Sequence, residues 1–268
     1  MSYLRPETPK EAWGALLEGN TRFVTGDPAH PRQDVDRRAE LVDEQRPTSA
    51  LFGCSDSRLA AEIIFDKGLG DLFVVRNAGQ IISDSVVGSL EYAVGVLEVP
   101  LIVVLGHDNC GAVNGAINML GPEATPLPPH IEALVSRIVP AIRRVAGKAG
   151  LFAPDGSLNP EQVDALAVGR EHLRDTIAEL MESSELITQA IAEGNLAIVG
   201  ANYRLGQGVV QRHPAVAVLV RIAHQFFHQG LARARRDRHG KAAARHLAVG
   251  VGGGHLAGGV VLQLGRHR

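Results

Sequence analysis

The chain has 268 residues, of which 45% are apolar and 21% charged, and its formal net charge is −2. This balance fits one soluble α/β domain, or one domain with an appendage, and excludes a molecule built to coat nucleic acid or an anionic membrane. No apolar run reaches the roughly 18 residues that would mark a membrane span, the opening Met1-Ser2-Tyr3-Leu4-Arg5-Pro6-Glu7 lacks an apolar signal core, and two cysteines are too few for a disulfide scaffold. A cytoplasmic protein with both thiols free for metal binding is therefore expected.

In chain order, Pro9 to Val24 reads as an amphipathic helix with Trp13, Leu16, Leu17 and Phe23 near one face. A Gly- and Pro-bearing loop follows from Thr25 to Gln33, then a short helix over Arg37 to Gln45. Ser49 to Gly53 reads as a strand running into Cys54, Ala60 to Phe65 as a helix, and Leu72 to Val75 as a second strand ending at Arg76-Asn77-Ala78-Gly79. Asp84 to Leu97 is a long helix, Leu101 to Gly106 a third strand ending at His107, and Cys110 to Leu120 a helix. After a loop from Gly121 to Pro129 that carries four prolines, Ile131 to Ala149 and Pro160 to Glu193 read as helices, and Leu196 to Val199 as a fourth strand.

Strands alternating with helices predict an α/β fold. Its centre would be a mostly parallel sheet of four or five strands, flanked by helices and preceded by an N-terminal helical arm. Ligands gather at the carboxyl ends of the strands in such sheets, where Cys54 and His107 fall.

Charge divides the chain near Gln211. Residues 1–210 hold 17 Lys and Arg against 28 Asp and Glu; residues 211–268 hold 10 against one, Asp237, with seven of the 11 histidines. We therefore expect a domain over 1–210 and an atypical basic extension over 211–268. In the extension, residues 214–231 could form an apolar helix and Gly250 to Gly259 a flexible stretch. The extension reads as a basic interaction segment or, preferred here, as the product of a shifted reading frame in a GC-rich gene. In that case the last strand of the sheet could be lost or replaced.

The only two cysteines lie in Cys54-Ser55-Asp56-Ser57-Arg58 and His107-Asp108-Asn109-Cys110. His107 and Cys110 are three apart at a helix start and can face one point. With Cys54 they make a two-thiolate, one-imidazole set that suits zinc and balances its charge. A water in the fourth position would be acidified by the metal. An Arg58 fork can hold Asp56 ionised and oriented, so that a free Asp56 oxygen accepts a proton from that water; alternatively Asp56 swings onto the metal and closes the site. Each piece has a plainer reading: small buried cysteines, a structural ion pair, or a closed structural zinc site.

The strings CxDxR (Cys54, Asp56, Arg58) and HxxC (His107, Cys110) resemble those of the β-class carbonic anhydrases. So do Leu17-Glu18-Gly19-Asn20-Thr21-Arg22-Phe23, Phe73-Val74-Val75-Arg76-Asn77-Ala78-Gly79, Ser89-Leu90-Glu91-Tyr92-Ala93-Val94, Gly106 to Val113 and Leu196-Ala197-Ile198-Val199-Gly200. The likeness runs from about residue 9 to about residue 210. It implies a zinc enzyme interconverting carbon dioxide and bicarbonate, with one zinc per subunit on Cys54, His107 and Cys110 and with Asp56 and Arg58 as the dyad. It also implies a homodimer or homotetramer with the site near the subunit interface. Gln45 would bind substrate, Phe73, Ala78 and Tyr92 would line a small apolar pocket, and the Gly111 N–H would hold substrate. Some members have a Trp three residues before the first Cys that serves an inhibitory bicarbonate site. Leu51 stands there, which favours the open, unregulated type. His30 is a candidate proton shuttle on its polar loop alone. Other readings are an inactive bicarbonate-binding scaffold, a carbon disulfide or carbonyl sulfide hydrolase on the same fold, and a thiol redox protein using Cys54 and Cys110.

Overall fold

In a computed structural model, residues 5–213 are described, and the expectations for residues 214–268 lie outside them. Five strands form one sheet in the order β2-β1-β3-β4-β5. They are β1 (Ser49–Cys54), β2 (Leu72–Asn77), β3 (Leu101–His107), β4 (Ala197–Arg204) and β5 (Val209–Arg212). The first four are parallel; β5 returns antiparallel along β4.

The apolar runs are strands because both faces of the sheet are covered. Along β3, Leu101, Val103 and Leu105 enter one core cluster while Ile102 and Val104 enter the other. β1 and β4 divide likewise: Leu51, Val199 and Ala201 go to the first, Ala50, Phe52 and Ile198 to the second. No helix of the described residues is long and apolar enough to cross a membrane.

The helices are α1 (Pro9–Thr25), α2 (Val35–Glu40), α3 (Ala61–Ile64), α4 (Asp84–Gly95), α5 (Gly111–Asn118), α6 (Pro129–Ser136), α7 (Val139–Lys148), α8 (Ala165–Ser183) and α9 (Glu185–Ala192). The arm helix α1 starts where a capping box closes: Thr8 Oγ1 accepts the Glu11 N–H and Glu11 Oε2 accepts that of Thr8. It ends at Gly26, whose φ of 75° is the left-handed stop.

Three expected helices are redrawn by local chemistry. The one expected over Arg37 to Gln45 is α2, set earlier because Asp34 caps it on the Arg37 N–H. The expected Ile131–Ala149 helix is two, because Pro140 has no N–H to donate and is accommodated only in the first turn of α7. The expected Pro160–Glu193 helix is a 3-10 turn (Pro160–Gln162) followed by α8 and α9. Asp164 caps α8 on the Ala167 N–H, and Ser184, in extended conformation, caps α9 on the Ile187 N–H. Helical periodicity continues across these breaks, so only the caps reveal them.

The last strand is retained, and β5 runs across the composition break at Gln211. Asn20 on α1 holds it. Asn20 Nδ2 donates to the carbonyls of Ile64 (3.1 Å) and Gly208 (2.8 Å), and Oδ1 accepts the Val210 N–H (2.9 Å). Replacing this buried side chain leaves three backbone groups unpaired. Asn20→Ala is expected to lower stability by about 2–4 kcal/mol, read as a reduced urea midpoint at fixed protein concentration; a midpoint unchanged from wild type would show that the link contributes nothing.

Candidate metal centre

The sheet order puts the site where it is. From β1 the chain passes to β2 on one side and later returns as β3 on the other. The connections leaving β1 and β3 therefore diverge and open a crevice at their carboxyl ends. Cys54 ends β1, His107 ends β3, and Cys110 stands at the N-cap of α5.

The ligand atoms of Cys54, His107 and Cys110, all three buried, lie within 4.8 Å of one another. With Zn–S near 2.3 Å and Zn–N near 2.0 Å, a tetrahedral site has ligand–ligand edges of roughly 3.5–3.8 Å, so the cluster has only about 1 Å to close. His107 Nδ1 lies 2.9 Å from the Asp108 carbonyl, which can only accept a hydrogen bond. Nδ1 therefore carries the proton and Nε2 presents a bare lone pair. That buried Nε2 has no hydrogen-bond partner among the described residues, the condition expected of a nitrogen waiting for a metal.

The two thiols share the same logic. Cys54 is pulled down, chiefly by the hydrogen bond from Cys110 and with help from the Gly79 N–H, against the opposing effect of burial. Cys110 is pushed up by the same contact and by burial, while the Val113 and Ala112 N–H groups at the start of α5 work the other way. Two neighbouring sulfurs, with Cys54 the one favoured as thiolate, and an imidazole suit a divalent cation. This donor set fits zinc.

Asp56 and Arg58 form a fork beside it. Arg58 Nε reaches Oδ1 at 2.8 Å and a terminal nitrogen reaches Oδ2 at 2.6 Å, while the Arg58 N–H also bonds Oδ1 at 3.0 Å. The Arg58 hydrogen bond outweighs burial and holds the Asp56 carboxyl well below the usual carboxylate range. Oδ2 lies 4.0 Å from His107 Nε2, so the carboxylate borders the metal group while both its oxygens stay on Arg58. Arg58 also donates to the Asn109 carbonyl at 3.3 Å, tying the two strings together.

Several supporting groups were not singled out by sequence reasoning. Arg76 donates to the Cys54 carbonyl (2.9 Å) and the Asp56 carbonyl (2.6 Å), clamping the backbone between ligand and dyad. Gly79 donates its N–H to Cys54 Sγ at 3.3 Å. Its φ of 80° favours glycine, and a Cβ there would stand 2.8 Å from that of Ala112. Asn77 closes the turn by bonding both backbone groups of Ile81. A Gly two residues past the end of β2 was a usable signal; Arg76 stood in the same string, but its contacts depend on β1–β2 register and could not be read from it.

The other expected residues separate into two groups. Ala78 adjoins Gly79, and Gly111 opens α5 directly after Cys110, where helical N–H groups lack intrahelical partners. Both border the metal group. Phe73, Tyr92 and Gln45 do not. Phe73 pairs with Ala50 in the sheet, whereas Asn77 pairs with Cys54. Phe73 thus lies about 13 Å back along its strand, packed in the second core cluster with its ring 6.1 Å from that of Tyr92. Gln45 and Tyr92 line a cavity of about 740 Å³ with Arg5, Val42 and Val96, and no member of the metal group lines it. His30 is held by Asp66, between α3 and β2, so it lies at the amino-terminal edge of the sheet, away from the metal group of its own chain. A cavity of about 990 Å³ between α5 and residues 151–162 likewise holds none of these residues.

Comparison with known proteins points the same way. A family profile described as carbonic anhydrase matches residues 49–210. The carbonic anhydrase of Mycolicibacterium smegmatis is 48% identical over 203 residues, covering 76% of this chain and 92% of that one. Carbonic anhydrase 2 of Mycobacterium tuberculosis is 48% identical over 207 residues, covering 76% and 94%. Among solved structures, a β-carbonic anhydrase of Coccomyxa in complex with acetazolamide superposes with a TM-score of 0.54 at 25% identity, covering 74% of this chain and 84% of that one. A tetrameric β-carbonic anhydrase of Sordaria macrospora shares the fold with a TM-score of 0.57 at 24% identity, covering 75% and 96%.

The three-donor geometry has a direct consequence. Purified protein should carry about one zinc per chain, and Cys54→Ala, His107→Ala and Cys110→Ala should each lose most of it by elemental analysis. Full metal content in any of the three would remove that residue from the site.

Proposed function

The chain belongs to the β-class carbonic anhydrase family, and we propose that it catalyses the reversible, zinc-dependent hydration of carbon dioxide to bicarbonate and a proton. The observation that carries this reading is the buried, unpartnered Nε2 of His107 set against two cysteine sulfurs with an Arg-locked carboxylate 4.0 Å away. Cys54, His107 and Cys110 would hold the zinc. When bound there, the metal supplies Lewis acidity that brings the deprotonation of water towards neutral pH.

The chain's own residues do the rest. Asp56, kept ionised by Arg58, is an acceptor only. It takes a hydrogen bond from the attacking water while staying ionised, and so turns the oxygen's free lone pair towards the carbon of carbon dioxide. The fork keeps Asp56 from rotating onto the ligands, which supports the open arrangement over the closed one. Leu51 packs in the core beneath. Gly111 offers its N–H to an oxygen of the forming bicarbonate, where negative charge collects. Water and carbon dioxide become bicarbonate and a proton, and the proton passes to buffer. Identity to proteins named carbonic anhydrase over most of the chain favours hydration over the scaffold, sulfur-substrate and redox readings.

Gln45, Phe73 and Tyr92 enter this reading across a subunit interface. Within one chain they lie away from the metal group, yet Val42 is 77%, Val96 62% and Tyr92 45% exposed, beside the charges of Asp43, Glu44, Arg46 and Glu98. Exposed apolar side chains set among charges suit a partner surface. In a two-fold dimer, each chain would present these residues to the other's metal.

Stopped-flow hydration assays test both points. Asp56→Asn with full zinc content is expected to lose on the order of 10²-fold or more in kcat/KM; an undiminished rate would take Asp56 out of the mechanism. Cys54→Ala and Gln45→Ala chains, each impaired alone, should regain activity when refolded together, up to about a quarter of the wild-type rate per chain for random two-fold dimers. No recovery despite heterodimer formation would place Gln45 with the metal of its own chain.

A further inference from the structure

α8 carries a buried histidine that the reaction itself does not use. His172 is 3% exposed, and its Nε2 lies 2.8 Å from the Gly79 carbonyl. A carbonyl only accepts, so Nε2 bears the proton and donates it there. The other nitrogen, Nδ1, is buried with no hydrogen-bond partner among the described residues. A leucine would fill this layer without the unpaired Nδ1, a loss that ordinarily destabilises a fold, but it would strip the Gly79 carbonyl of its donor. The single return for that loss is one hydrogen bond, and its target is the residue whose N–H contacts the Cys54 sulfur.

The surroundings reinforce the aim. One turn further along α8, Thr176 Oγ1 lies 3.4 Å from the next carbonyl, that of Gln80. Both residues sit on one face of the helix, but the Thr176 hydroxyl lies closer, at 3.0 Å, to the His172 carbonyl of its own helix, so the firm hold of α8 on the turn is the His172–Gly79 hydrogen bond. From above, Gly79 is pressed close to Ala112 on α5. Gly79, with its carbonyl held by His172 and its φ at 80°, is kept in a conformation whose N–H reaches Cys54 Sγ at 3.3 Å.

We propose that His172 is a positioning residue of the metal centre: through the Gly79 backbone it keeps an N–H donor on the Cys54 sulfur and so sets how strongly that thiolate holds and donates to the metal. Hydrogen bonds to a ligand sulfur withdraw electron density from it, and groups in this outer layer commonly govern metal affinity. The inference rests on the reading of Cys54, His107 and Cys110 as zinc ligands.

The test uses the full-length protein, loaded with zinc for affinity and with cobalt(II) for spectroscopy. His172→Leu and His172→Phe remove the donor at two side-chain volumes, and His172→Gln keeps an N–H donor. Leu180→Ala opens a cavity in the same helix without touching the turn. Both donorless variants should raise the zinc dissociation constant about 10- to 100-fold, in the range usual for outer-layer substitutions, and move the thiolate-to-cobalt charge-transfer band. His172→Gln should recover most of both, and Leu180→Ala should lower the melting temperature while leaving both unchanged. Wild-type affinity and band in a folded donorless variant would overturn the proposal, as would a matching loss in Leu180→Ala. If wild-type protein itself holds no zinc, the ligand reading fails instead.

Discussion

The parallel pairing of β1 with β3 is the constraint on which the site depends. Gly53 lies opposite Leu105 in the register, so the two strands end side by side, and each has a ligand as its last residue. Because the chain leaves β1 towards one edge and β3 towards the other, nothing of the backbone fills the space between them. The apolar runs that form these strands bury both faces and make the register hard to slip. A shift by one residue would turn Cys54 and His107 away from each other.

Electrostatics then follows from this placement. Two sulfurs and an imidazole are brought within 4.8 Å of one another, with His107 Nε2 unpaired among the described residues and Cys54 pulled down by the hydrogen bond from Cys110. Such an arrangement is costly for the metal-free chain and is relieved by a divalent cation. The adjacent carboxylate belongs to a different balance, since Arg58 neutralises it locally. Asp56 can therefore stand at the edge of the cluster without adding a third negative charge to the ligand set.

Much of this was legible in the sequence, for identifiable reasons. The four parallel strands announce themselves because continuous apolar runs such as Leu101 to Leu105 have few other uses. The candidate ligands stand out because the only two cysteines fall at a strand end and just past one, the second three residues from a histidine. Local chemistry also revealed the dyad, since Asp56 and Arg58 are two residues apart and bond within one turn. What escaped depends on distance along the chain. Arg76 acts on Cys54 through strand register and His172 acts from a helix 93 residues after Gly79, so neither leaves a local pattern. The helix breaks at Pro140 and Ser184 were hidden by periodicity that carries on through them. Gln45, Phe73 and Tyr92 lie at a different place in the chain's own fold from the metal group, and no local pattern shows that separation.

The most direct measurement of the central claim is carbon dioxide hydration followed by stopped flow while zinc is titrated into chelator-treated, full-length protein. The account predicts a rate that is near the buffer background without metal, climbs in proportion to added zinc and levels off at about one equivalent per chain. A full rate in the metal-free protein, or a background rate at one tightly bound zinc per chain, would contradict it.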